Sequence, residues 1–77
     1  MSVGKALVEL ATLFQASHIV RKHSVEEDET SERPTLIVRL HCIPLAEESS
    51  ELTKILRNAR SKVPRTYSIK FKIEFWT

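Results

Sequence analysis

From Tyr67 to Phe75 the chain alternates without interruption. Tyr67, Ile69, Phe71, Ile73 and Phe75 fall on one side; Ser68, Lys70, Lys72 and Glu74, followed by Trp76, fall on the other. Successive side chains of an extended chain point to opposite faces, so a period of two predicts a strand with one dry face and one wet one. Aromatic and β-branched residues suit such a half-buried pleated surface. The stretch contains neither Pro nor Gly, so the pattern permits a central place in a sheet. It also marks Phe71 as a core residue whose truncation would be among the most costly in the chain.

The remaining elements are read against this strand. Ser2 can cap a helix in which Val3, Leu7, Leu10 and Phe14 step by three and four. Ala6, Val8 and Leu13 widen its stripe past one face, which predicts burial on more than one side. Residues 17–25 are ambiguous between a continued helix and a strand; paired β-branched residues and polar alternation at Arg21 and His23 favour the strand. Residues 26–33, EEDETSER, hold no apolar side chain and read as an acidic, solvated and flexible loop. After Pro34, residues 35–43 read as a strand with Leu36, Val38, Leu40 and Cys42 on its dry face, ended by Pro44. A second helix over residues 45–62 carries a narrow stripe of Leu52, Ile55, Leu56 and Ala59. Glu47, Glu48 and Glu51 crowd its start and Arg57, Arg60 and Lys62 its end, which complements the helix macrodipole. Val63–Pro64 stops it.

The predicted architecture is therefore one small α+β domain over residues 1–77, in the order α-β-β-α-β. This order resembles the split β-α-β (ferredoxin-like) arrangement without its first strand. The resemblance implies a sheet containing an antiparallel pair, with both helices on one face.

Size bears on what such a domain can do. A chain of 77 residues buries only roughly 60% of its unfolded surface, and no disulfide is available to compensate, because Cys42 is the only cysteine. Association is the remaining way to gain buried area. A lone cysteine also fits a reducing intracellular setting, cytoplasmic or nuclear, better than secretion. No apolar run approaches the ~20 residues of a membrane helix, and Glu9 interrupts the N-terminal apolar stretch where a signal peptide would need continuity.

The chemistry-bearing residues do not assemble into a catalytic set. His18 and His23 are five apart, a spacing that suits no helical ligand pair, and neighbouring His41 and Cys42 point to opposite faces of a strand. Cys42 falls among core residues, where a thiol is inert. The expectation is a non-enzymatic protein with no metal, no cofactor and no small-molecule substrate.

The net charge of +2 hides a segregation. Residues 26–53 carry −6 and residues 54–77 carry +6, with seven bases and no acid between Lys54 and Lys72. Such asymmetry speaks of partners. The leading expectation is a protein-interaction module, a self-associating regulatory or adaptor subunit, with Val8 and Leu13 of the first helix in the contact. The alternative is binding of RNA or another single-stranded nucleic acid. For that reading Arg39, His41, Arg57, Arg60, Lys62, Arg65, Lys70 and Lys72 would meet phosphates, and Trp76 would stack on a base.

Overall fold

The computed structural model describes residues 3–44 and 50–75. Five elements follow in the order α1 (Val3–Ala16), β1 (Val20–Asp28), β2 (Thr35–Cys42), α2 (Ser50–Ser61) and β3 (Ser68–Phe75). The expected α-β-β-α-β order and α+β class are both present. The helix cap expected at Ser2, residues 45–49 of the predicted second helix, and Trp76 lie outside the described residues.

The sheet order is β1-β2-β3; β1 runs antiparallel to β2, and β3 runs parallel to it. The alternating stretch is thus a strand, as its period requires, but it is an edge strand. The centre belongs to β2, whose Leu36, Val38, Leu40 and Cys42 are completely buried. In β3, Ile69, Phe71, Ile73 and Phe75 are only half-buried. Both strands present aliphatic or aromatic residues every second position. What separates them is pairing, since β2 has a hydrogen-bonded neighbour on each side and β3, among the described residues, on one.

A single face of the sheet makes the core. Leu10 and Phe14 of α1, Ile19, Ala59 of α2 and Val63 close over the dry side of β2. On α1 the residues Ala6, Leu10 and Phe14 are buried at steps of four, the spacing that stacks side chains along one face of a helix. Burial of side chains such as these contributes roughly 1.5–3 kcal/mol each. The second stripe of α1 is at the core's margin: Leu13 is half-buried and packs against the core, and Val8 remains 66% exposed. Both helices therefore serve one face, and the opposite face of the sheet is left without a helix among the described residues.

β1 differs from its expected course at both ends. Val20 pairs with Cys42 while Lys22 pairs with His41, so Arg21 is an extra residue and the ladder bulges there. The bulge shifts the alternation by one. Without it Lys22 and Ser24 would face the core; with it His23 and Val25 do, and the His23 ring lies 5.5 Å from that of Phe14. At the other end the strand runs on through Glu26, Glu27 and Asp28, which pair with Ile37, Leu36 and Thr35. The acidic loop expected over 26–33 is consequently shorter than its composition implies. Backbone pairing to the central strand outweighs the low strand preference of Glu and Asp, whose side chains remain in water along an edge.

Candidate functional site

The open face of the sheet is built by register. Arg39 lies between Ser24 of β1 and Lys72 of β3, His41 between Lys22 and Glu74, and Ile37 between Glu26 and Lys70. Neighbouring strands are about 4.8 Å apart, so these rows hold four cations, Lys22, Arg39, Lys70 and Lys72, in one cluster. Two contacts with carboxylates temper it. Arg39 Nε lies 3.9 Å from Glu26 Oε1, and His41 Nε2 lies 3.4 Å from Glu74 Oε2. Exposed pairs of this kind contribute roughly 0–1 kcal/mol, so they leave the cations available to a partner.

The structure brings Arg39, His41, Lys70 and Lys72 together on this face and places the other cations elsewhere. Arg57 and Arg60 are exposed on α2, on the far side of the sheet. Arg60 and Arg65 meet around Ser61 and Val63 at the end of the molecule where α2 turns toward β3. Lys62 reaches the surface of α1 beside Val8, Glu9 and Thr12. A run that is continuous in sequence is thus split between two sides of the molecule by the crossover from β2 to β3.

The hairpin between β1 and β2 sits at that same end. Asp28 closes it: its carboxylate accepts hydrogen bonds from the Thr30 amide at 3.0 Å, the Thr30 hydroxyl at 2.6 Å and the Ser31 hydroxyl at 2.9 Å. These bonds, the Thr30 hydroxyl foremost and with Lys70 adding a favourable charge, hold the Asp28 carboxyl below its usual range. The hairpin leans on the approach to β3 through Arg33, whose Nη2 donates to the Arg65 carbonyl at 3.4 Å. Among the described residues no ion pair joins Glu27, Glu29 or Glu32 to Arg60, Lys62 or Arg65.

A third surface is an apolar groove between the helices. It consists of two adjoining hollows that share Leu13 and Ala16 of α1: Val8 and Thr12 line one, and Ile55 of α2 lines the other. Its rim carries both signs of charge, Glu9 with Lys62 at one end and Glu51 with Lys54 at the other. Val8 and Leu13, conspicuous in the sequence as surplus apolar residues of the helix, meet here. Ile55 was legible only as part of a core stripe; its place in the groove depends on the packing of α1 against α2.

Cys42 is completely buried, and removal from solvent pushes its thiol up, toward the protonated form. Its sequence neighbour His41 faces the other side of the sheet. No group of three or more His, Cys, Asp or Glu side chains able to hold a metal ion comes together among the described residues. No helix among them is long and apolar enough to cross a membrane. Comparison with protein-family models, with curated proteins and with solved structures finds no match to this chain.

Proposed function

We propose that this chain is a small non-catalytic protein-interaction module, a self-associating regulatory or adaptor subunit, and that the groove between α1 and α2 is its contact surface. One observation carries the reading: Val8, an apolar side chain 66% exposed, stands at the edge of a groove floored by Leu13 and Ala16. An exposed apolar strip rimmed by charge is the usual form of an interaction site. A second copy is the occupant best matched to it, because acids and bases alternate at both ends of the rim and a two-fold axis can set each against its opposite. A reducing intracellular compartment, cytoplasmic or nuclear, accords with the single buried thiol.

Sedimentation equilibrium of the purified chain tests this. The wild type is expected to be a dimer or larger at micromolar concentration. Val8→Glu and Leu13→Glu are expected to weaken this association while each subunit keeps its cooperative unfolding. A monomer at every concentration would end the reading.

A second reading has its own observation, the cluster of Lys22, Arg39, Lys70 and Lys72 on a sheet face free of helices among the described residues. Such a face can hold a single-stranded RNA backbone. In that case affinity for a labelled oligonucleotide falls steeply with salt, and removing Lys70 or Lys72 lowers the slope by about 0.7 each. Arg57, Arg60, Lys62 and Arg65, being on other surfaces, are expected to matter less, and Trp76→Ala tests the contribution of a stacked base.

A further inference from the structure

We infer that the outer edge of β3 is a second association surface, beyond the helical groove, and that it pairs antiparallel with the β3 of another copy. The two edges of this sheet are not alike. β1 is blunted in ways that discourage pairing: a bulge at Arg21, and at its far end the consecutive charges Glu26, Glu27 and Asp28, one of them on the core side. β3 has no bulge, no consecutive charges and no charge on the core side, its Lys70, Lys72 and Glu74 standing singly on the open face. It runs eight residues in unbroken register with β2, contains no Pro or Gly, and alternates half-buried Ile69, Phe71, Ile73 and Phe75 with exposed charges. Its outward backbone groups meet no strand among the described residues, and such a row is a template for another strand.

The charges of β3 choose the occupant and the direction. Exposed on the open face are Lys70, Lys72 and Glu74. A parallel neighbour of the same sequence, in register, would set Lys against Lys and Glu against Glu. An antiparallel neighbour related by a two-fold axis at Ile73 sets Lys72 against Glu74 of the other copy, twice. The same register places Ile73 on its counterpart and Phe71 on the opposing Phe75. Direct cross-strand neighbours share a face, so the helices of both copies fall on one side of a continuous six-stranded sheet. The contact is isologous and closed, and it leaves the two blunted β1 strands as the outer edges.

Charge exchange tests the pairing without touching the core. In sedimentation equilibrium, Lys72→Glu and Glu74→Lys are each expected to weaken pairing on the order of 10-fold, because two attractive cross-strand pairs become repulsive. Mixed in equal amounts, the two variants are expected to recover wild-type affinity as a heterodimer, since the introduced glutamate of one copy then faces the introduced lysine of the other. Unfolding of a variant cannot produce that recovery. The double variant Lys72→Glu/Glu74→Lys is likewise expected to pair with itself. The surface is overturned if the single variants weaken association and the mixture does not recover it, or if neither variant has an effect. Run on Val8→Glu protein, the same series separates the two surfaces. Association lost to Val8→Glu but indifferent to charge exchange leaves the groove alone standing; the converse leaves β3 alone. A wild type monomeric at every concentration overturns both.

Discussion

At the scale of single residues, exposure reorders the expected costs of truncation. Alternation alone makes Phe71 a core residue, yet it is half-buried on an edge strand, while Phe14 and Leu40 are completely enclosed. Phe14→Ala and Leu40→Ala are expected to cost about 3–5 and 2–5 kcal/mol in denaturant unfolding, a large share of the stability of so small a domain. Phe71→Ala should cost about half as much in the isolated subunit, and Lys72→Ala about 0.5 kcal/mol or less. Equal losses at Phe71 and Leu40 would refute the edge placement. Asp28 gives a pH test. Its folded carboxyl titrates below its unfolded range, so its stabilisation is present above the unfolded value and disappears as pH falls through the folded one. Asp28→Ala is therefore expected to lower the urea midpoint at neutral pH, with the difference from wild type shrinking as pH falls through the folded carboxyl's range. Cys42, buried and held protonated, should react with a thiol reagent only at the rate at which the core opens.

Elements were legible where pattern and pairing agree. β2 and β3 announce themselves by alternation, and α2 by a stripe with acids before it and bases after. β1 was harder because its alternation is interrupted by the extra residue at Arg21, and a bulge has no signature in a sequence of ordinary side chains. Its C-terminal end escapes the pattern for a different reason. Composition measures what side chains prefer, whereas Glu26–Asp28 extend because their backbones complete a ladder with β2. The Asp28–Thr30 spacing, which lets a carboxylate bond the amide two residues on, was the available sign of a turn beginning at 28. Two consequences can be measured. Deleting Arg21 should remove the bulge and leave a regular ladder, with His23 and Val25 still opposite Leu40 and Val38, so the Phe14–His23 contact should persist by NMR. Deleting 27–32 should be damaging, since it removes two rungs and the closing carboxylate, whereas replacing Glu29 and Glu32 by Ala should be tolerated.

At the scale of the whole molecule, sequence order and spatial order part company. The fold class follows from periodicity, and the one-sided helical cover was implied by the resemblance in element order. The division of the Lys54–Lys72 run between two surfaces does not, because it depends on α2 crossing the core face before β3 returns beside β2. The candidate surfaces were half visible for the same reason. Val8 and Leu13 stood out as surplus apolar residues, and Lys70 and Lys72 as the wet side of a strand. The edge of β3, which meets no strand among the described residues, was hidden, since alternation records the faces of a strand and is silent about its flanks. That crossover also sets an order of events. β2 finds β1 across a short turn, but it finds β3 only after the whole of α2 has been made and docked, and distant pairings carry the larger loop-closure cost. The β1–β2 hairpin with α1 is thus the natural nucleus, and β3 the late arrival. In stopped-flow experiments, truncations at Val38 should slow folding, whereas truncations at Ile73 should chiefly speed unfolding. A chain emerging from the ribosome would hold β2 with one flank bare until β3 is free, so the most apolar strand waits longest for its second neighbour.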